Sequence, residues 1–218
     1  MTNDLVNSLA DLDEERTLAL VRQAVAGGAT ALDIVEMCRQ GVEIVGRRYA
    51  EESYFLSDLI MSEEILRGVM QIIEPLFPRQ GSGRGRKVVM GTIDGDIHDL
   101  GKNIVVYLLR SHGFEVYDLG VDVPPEAFLA KVRDTGATAL GISVLLTYCV
   151  NSIRKVVKLL EEEGLRNRVA VVIGGYPVDD KVLAYTGADF FGRDAVDAVG
   201  IFQRIAPAHQ LPNPFPGP

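Results

Sequence analysis

The sequence has no tryptophan, only two cysteines and only three histidines among 218 residues. Each scarcity excludes something. Cys38 and Cys149 are far apart and in no metal-ligand spacing, so neither a disulfide framework nor a zinc knuckle is available, and a reducing compartment is expected. The histidines are His98, His112 and His209, and no second His or Cys stands near His98 to complete a three- or four-ligand zinc site. Lys and Arg number 22 against 30 Asp and Glu, a net charge of −8, which removes electrostatic support for a nucleic-acid partner. Long hydrophobic runs are missing as well. The stretch from Ala137 to Leu146 is too short and too broken by Gly and Thr to span a bilayer. The opening Met1 to Leu5 is acidic and lacks the basic and apolar regions of a signal peptide, so a cytoplasmic protein with no membrane partner is expected. What remains is 47% hydrophobic and 24% charged, the balance of a soluble globular protein with one large or two small domains.

Residues 4 to 77 read as helix throughout. Asp13-Glu14-Glu15 marks a helix start, Leu18, Val21, Ala24 and Val25 follow at helical spacing, and Gly27-Gly28 ends the segment. A helix from Ala31 to Tyr49 puts Ile34, Val35, Cys38, Val42 and Val45 on one face, with Cys38 as a small core residue. One from Leu56 to Leu76 turns Leu59, Ile60, Leu66, Val69, Ile73 and Leu76 inward. Short links between them favour an antiparallel bundle over 1–77. Residues 78–86 (PRQGSGRGR) contain Gly, Ser and charge without a core residue and read as a flexible linker. Their three arginines could hold an anion, but a solvated linker accounts for them.

From Lys87 the pattern changes to strand, loop, helix, repeated. The predicted strands are 87–92, 114–119, 138–143, 169–173 and 189–191. The predicted helices are 99–112, 125–135, 149–163, 177–186 and 194–205. This alternation predicts a doubly wound parallel sheet over 87–205, with the flavodoxin-like order 2-1-3-4-5. Residues 206–218 are rich in Pro and read as an extended or disordered tail.

The stretch Gly91 to Asn103 (GTIDGDIHDLGKN) lies between the first strand and its helix. It carries Asp96-x-His98-x-x-Gly101 at the carboxyl end of a strand, the edge where ligands bind in such sheets. Alone, the string has an ordinary reading: Asp99 caps the helix, Gly101 allows a close helix–strand contact and His98 is a solvated loop residue. Two further signals fall on the same edge. Ser143, Leu145 and Thr147 follow strand 3, and Gly174-Gly175 follows strand 4. In the predicted order, strands 1 and 3 are neighbours, so His98 and Ser143 face one crevice. An aspartate two positions from a histidine can take one imidazole N–H and leave the other nitrogen for a metal. Ser143 and Thr147 offer small hydroxyls for a narrow slot, and paired glycines admit a bulky ligand. A lone histidine suits a metal already held by a macrocycle. His112, at a helix end, reads as a cap on the helix dipole, and His209 lies in the tail.

With this spacing, residues 86–205 resemble the cobalamin-binding domain shared by methionine synthase, adenosylcobalamin mutases and corrinoid methyltransferase proteins. The family pattern is Asp-x-His-x-x-Gly, then Ser-x-Leu, then Gly-Gly, and Gly120 to Pro124 (GVDVP) resembles its strand-2 exit. The helical part resembles the cap domain that covers the corrin, with Tyr54-Phe55-Leu56 where that family places an aromatic segment over the upper face. The resemblance implies that His98 is the lower axial cobalt ligand, in base-off, His-on cobalamin, and that Asp96 tunes it. Gly95, Ile97, Asp99 and Gly101 would meet the corrin. Ser143, Leu145 and Thr147 would line the slot for the displaced nucleotide tail, with Gly174 and Gly175 close to that tail. Gly192, Arg193 and Asp194 would flank it, and Phe55 would lie over the upper face. Two positions depart from the family. Cys149 stands where methionine synthase has a serine completing the relay, and Ser57 stands where relatives often carry proline.

The resemblance further implies a carrier that is not catalytic alone. It would accept a methyl group on Co(I) from a donor-specific methyltransferase and deliver it from methyl-Co(III) to a second methyltransferase acting on a folate or a thiol. A reductive activase would be a further partner. O-demethylation is among the methyl-transfer systems implied, and the donor itself stays open. A mutase subunit leaves the helical cap unexplained. A cobalamin-dependent sensor would add a DNA-binding segment and a cap tryptophan. A response-regulator receiver would have an aspartate where Ser143 stands.

Overall fold

The computed structural model describes residues 2–77 and 86–208. The chain divides into two compact units, Met1–Phe77 and Pro78–Pro218.

The first unit holds four helices: α1 (Thr2–Ala10), α2 (Glu14–Ala26), α3 (Ala31–Ala50) and α4 (Leu56–Ile73), the last followed by a 3-10 turn, Glu74–Leu76. The breaks between these helices fall at defined points. Leu12 takes a left-handed φ of 59°, and Asp13 caps α2 by accepting the Arg16 amide at 3.0 Å. Thr30 caps α3, with Asp33 returning the bond in a capping box. Between α3 and α4, Glu52 is also left-handed, and Tyr54 and Arg48 both donate to the carbonyl of Ala10, at 2.9 and 2.6 Å. The Asp58 carboxylate accepts the Phe55 amide at 2.7 Å and opens α4.

The predicted inner faces hold in part. Ile34, Cys38, Val45, Val69 and Ile73 are buried. Burial alone pushes the Cys38 thiol up to about 12, as expected of a core residue. Ile60 and Leu76, expected to point inward, are exposed, and Ile65 occupies the core instead. A helix turns about 100° per residue, so with the contact stripe centred on Ile65, Val69 and Ile73, Ile60 falls outside it. Leu76 sits in the 3-10 turn, where helical periodicity no longer applies.

The second unit is a five-stranded all-parallel sheet in the order β2-β1-β3-β4-β5. The strands are β1 (Lys87–Thr92), β2 (Glu115–Asp118), β3 (Ala139–Ser143), β4 (Ala170–Gly174) and β5 (Phe190–Gly192). The intervening helices are α5 (Leu100–Ser111), α6 (Pro125–Thr135), α7 (Val150–Glu162), α8 (Asp180–Thr186) and α9 (Ala195–Ala208). The order is the expected one, and each strand lies within a residue or two of its predicted bounds. Val89, Leu140, Ile142, Val171 and Ile173 bury against α6 and α7, through Phe128, Ile153, Val156 and Leu160. The opposite face carries α5 and α9, which pack on each other, and Gly141 lies beside Met90 and Phe202 there. The near-continuous apolar strands are those of a sheet covered on both faces.

Three differences from the sequence reading go beyond a shift of a residue or so in an element's end. Helix α8 starts at Asp180 rather than 177, because Asp179 caps it by accepting the Val182 amide at 2.8 Å. Helix α9 runs on to Ala208, three residues into the predicted tail. Arg86, read as linker, lies 5.4 Å from the Phe114 ring centroid, and its carbonyl accepts the Glu115 amide at 2.9 Å. The rest of the linker, 78–85, and of the tail, 209–218, lies outside the described residues. His112 is the C-cap of α5, with Nδ1 at 2.8 Å from the Leu108 carbonyl, as expected of a cap. Among the described residues no helix is long and apolar enough to cross a membrane.

Candidate functional site

Strand β1 ends at Thr92, beside Ser143 at the end of β3. This is the switch point, where β1 leads into α5 on one face while its neighbour β3 leads into α7 on the other. The loop leaving β1 is pinned at once. Ile93 donates to the Ser143 carbonyl at 3.1 Å, Asp94 to the Val123 carbonyl at 2.9 Å and Asp96 to the Ile93 carbonyl at 3.0 Å. The chain therefore doubles back and turns Asp96 into the protein, where it is fully buried.

Both oxygens of that carboxylate are hydrogen-bonded. Oδ1 accepts the His98 amide at 3.1 Å and meets His98 Nδ1 at 2.7 Å. Oδ2 accepts the amides of Leu145 at 2.5 Å and Leu146 at 3.0 Å. Burial opposes ionisation of Asp96, but the amides of Leu145 and His98, the His98 ring and the Leu146 amide together outweigh it and hold the carboxyl below its ordinary value. An ionised carboxylate is an acceptor only, so Nδ1 carries the proton that is shared. The other ring nitrogen, Nε2, is left for another partner, on a side chain 35% exposed. The Thr92 hydroxyl donates to the His98 carbonyl at 3.1 Å and fixes the backbone after the ring. Among the described residues no group of three or more His, Cys, Asp or Glu is placed to hold a metal ion.

The far wall of the crevice comes from β3 and β4. Ser143 is half-buried, Leu145 is exposed, and Thr147 is exposed in a 3-10 turn, Thr147–Cys149, ahead of α7. Val144 donates to the Gly174 carbonyl at 2.9 Å. Gly175 has a φ of +129°, and a Cβ there would stand 1.7 Å from the Val144 carbonyl oxygen. Its lack of a side chain is therefore required by the chain's own β3 exit. Gly101 is the opposite case. It lies in the first turn of α5, and a Cβ there would meet nothing within 4 Å. Ile97, Val121, Leu145, Tyr148 and Tyr176 are apolar or aromatic side chains exposed along these loops.

The structure thus brings Gly95, Asp96, Ile97, His98, Asp99, Gly101, Ser143, Leu145, Thr147, Gly174 and Gly175 to one edge of the sheet. Gly192 pairs with Gly174 in the β4–β5 register. It is buried, and an added Cβ would lie 2.7 Å from Ala198 Cβ. Arg193 pairs with Asp197 at 3.1 Å, and Asp194 accepts the Asp197 amide at 2.8 Å, capping α9. Asp99 is the N-cap of α5, as its ordinary reading has it, although its side chain makes no capping bond. Phe55 belongs to the helical unit, where it is 72% exposed beside exposed Leu56, Ile60 and Met61.

Two residues escaped the sequence reading. Thr92 looks like any strand residue. Asp122 accepts the Gly95 amide at 2.8 Å through its side chain and donates its own amide to the Asp96 carbonyl at 2.9 Å. The only signal for it was its place in the GVDVP turn. Cys149, the departure from the serine pattern, is buried beside Gly95. Burial, then the charges of Asp96, Asp94 and Asp122, push its thiol up.

Residues 86–200 match the family model described as the B12 binding domain, and residues 1–74 match a second model of the same description. A corrinoid protein of Desulfitobacterium hafniense (strain Y51) is 34% identical over 209 residues, covering 94% of this chain and 97% of that one. The structure of the Methanosarcina barkeri monomethylamine corrinoid protein aligns with a TM-score of 0.84 at 29% identity, over 92% of this chain and 96% of the other. A chain of the methanol:cobalamin methyltransferase complex MtaBC from the same organism aligns with a TM-score of 0.54 at 27% identity, over 94% of this chain and 79% of that chain.

Proposed function

This chain belongs to the B12-binding domain family, and from that membership we propose that it is a corrinoid carrier for methyl transfer, with His98 as the lower axial ligand of the cobalt. The observation that carries the reading is the Asp96–His98 pair. The carboxylate fixes the ring as its Nδ1–H tautomer and leaves Nε2 as the donor at the mouth of the crevice. The crevice fits a bulky planar group: Gly101 leaves open space, and Ile97 and Leu145 expose apolar surface beside the histidine. When bound, the cobalt supplies the centre that takes up and gives up a methyl group; the protein supplies ligation, orientation and protection.

In this reading the cofactor is base-off and His-on. Ser143, Leu145 and Thr147 wall the slot that receives its nucleotide tail, and the Gly174-Gly175 turn closes it. Gly192 to Asp194 stand further along the same edge, with Arg193 and Asp194 largely engaged by α9. On the helical unit, Phe55, Leu56, Ile60 and Met61 form an apolar face suited to the upper side of a corrin. The similarity to a monomethylamine corrinoid protein and to a methanol:cobalamin methyltransferase complex supports a small methylated donor brought by a partner methyltransferase. A second methyltransferase, acting on a folate or a thiol, would take the group onward, and a reductive activase would restore the carrier.

The test is spectroscopic. Protein labelled with ¹⁵N-histidine and reconstituted with cobalamin should show, in the Co(II) state, an axial nitrogen splitting that differs from that of unlabelled protein. An unchanged splitting would mean that the cofactor keeps its own base. Mixed with a methylamine or methanol methyltransferase and its donor, the carrier should become methylated, read from its optical spectrum. Without that partner it should not.

A further inference from the structure

Among the described residues only Leu12, Glu52 and Asp122 are non-glycine residues with positive φ. Leu12 and Glu52 lie in turns between helices. Asp122, with a φ of 53°, lies beside the loop that carries His98. In that conformation its own amide and its carboxylate reach the same short segment. The amide donates to the Asp96 carbonyl at 2.9 Å, and Oδ1 accepts the Gly95 amide at 2.8 Å. Residues on either side of Asp122 extend the seam. Thr92 donates to the Gly120 carbonyl at 2.9 Å, Val123 donates to the Thr92 carbonyl at 3.0 Å, and Ile93 and Val123 form a parallel bridge.

The clasp falls on the two residues whose placement decides the histidine. Gly95 is itself left-handed, with a φ of +83°, so without a partner its peptide has wide freedom. Asp96 must present Oδ1 to His98 and Oδ2 to two amides of the β3 exit at once, which ties its backbone to both. Asp122 supplies the hold from the β2 side that Leu145 and Leu146 supply from the β3 side. An exposed aspartate in a turn is ordinarily replaceable, but this one makes two bonds to consecutive residues from a conformation that few side chains adopt.

We propose that Asp122 is a positioning residue for His98: by clasping Gly95 and Asp96 it sets the carboxylate that selects the histidine tautomer. The inference rests on the reading of His98 as the cobalt ligand, but half of its test does not.

Asparagine and glycine both tolerate the left-handed conformation, and only asparagine keeps a side-chain acceptor. Asp122→Gly therefore removes the side-chain half of the clasp, the bond to the Gly95 amide, without straining the turn, and Asp122→Asn should restore it. In the first arm, ¹⁵N-histidine spectra of the cofactor-free protein are recorded at mildly alkaline pH. Wild type and Asp122→Asn should show His98 as the Nδ1–H tautomer, and Asp122→Gly a mixture of tautomers. In the second arm, Co(II) spectra of the reconstituted proteins should show His-ligated cobalt in wild type and Asp122→Asn. Asp122→Gly should lose ligated fraction and bind the corrinoid about tenfold more weakly, the low end for a group acting through a metal ligand. A wild-type tautomer pattern in Asp122→Gly overturns the proposal. So does an equal loss in Asp122→Asn. If wild type shows no histidine splitting, the ligand reading fails, and the cofactor-free arm alone decides whether Asp122 positions the ring.

Discussion

Asp96 and His98 stand two positions apart in the chain, and the carboxylate of the first meets both the backbone amide and the ring Nδ1 of the second, at 3.1 and 2.7 Å. Neither a helix nor a strand brings residues i and i+2 together in this way. The turn between β1 and α5 does so, and it buries the aspartate completely while leaving the ring partly exposed. Replacing the carboxylate should weaken the hold on the ring and its basicity. Asp96→Asn should lower corrinoid affinity by roughly 10–100-fold. Equilibrium dialysis against cobalamin measures this, and an affinity within twofold of wild type would remove Asp96 from the site.

Gly101 and Gly175 make a paired prediction, because their surroundings differ. Gly175→Ala places a Cβ against the Val144 carbonyl and in a φ of +129°, so it should cost about 3 kcal/mol or more of folding stability. Gly101→Ala meets no protein atom within 4 Å and sits in a helix, where alanine should be neutral or favourable by about 0.5–1 kcal/mol. If the corrinoid fills that space, Gly101→Ala should nonetheless bind it poorly. Urea unfolding and cobalamin titration of both variants separate the two effects. A Gly101→Ala protein with normal binding would place the cofactor elsewhere.

Lys102, in the first turn of α5, is buried, and its ammonium meets both Asp118 oxygens at 2.8 and 2.7 Å and Asn103 Oδ1 at 2.6 Å. The pair ties the start of α5 to the end of β2, on either side of the His98 loop. Removing one partner strands the other in a desolvated position. Asp118→Ala should therefore cost about 3 kcal/mol, near the low end for a buried pair because Asp118 keeps some exposure. The double variant Lys102→Met/Asp118→Leu should recover much of that loss. Urea midpoints of wild type, Lys102→Met, Asp118→Leu and the double variant give the coupling, and simple additivity would show that the pair contributes nothing specific.

The capping box of α3 predicts a pH dependence. The Thr30 hydroxyl, then the Thr30 amide, hold the Asp33 carboxyl below its ordinary value of 3.8. A lowered folded value means that this stabilisation is fully present above pH 3.8 and is lost as the pH falls through the lowered value. The gap in thermal midpoint between wild type and Asp33→Ala should stay constant near neutrality and narrow in acid. A gap that widens in acid would reverse the sign and exclude the capping explanation.

Phe55 is 72% exposed, so Phe55→Ala should leave stability within about 0.5 kcal/mol of wild type. Its expected effect is on the bound methylated cofactor, which should lose its methyl group to light faster when the aromatic face is gone. Equal photolysis rates in the two proteins would assign Phe55 another role.

The sequence by itself determined the α/β order and the edge at which the site lies. Alternation of apolar strands with helices permits few sheet orders once crossovers are right-handed, and the order 2-1-3-4-5 puts His98 and Ser143 on one crevice. The offset of two between Asp96 and His98 was equally legible, because both ends of that bond lie in one short loop. Tertiary structure alone decided what holds the aspartate. Its partners at Leu145 and Leu146 lie 49 and 50 positions away and contribute backbone amides, which have no residue-type signature. Asp122 reaches Gly95 across 27 positions from a left-handed conformation that aspartate adopts only sometimes, so its presence in a turn could not announce the bond. The exposure of Ile60 was likewise undecided, because helical periodicity names a stripe but not which neighbour covers it.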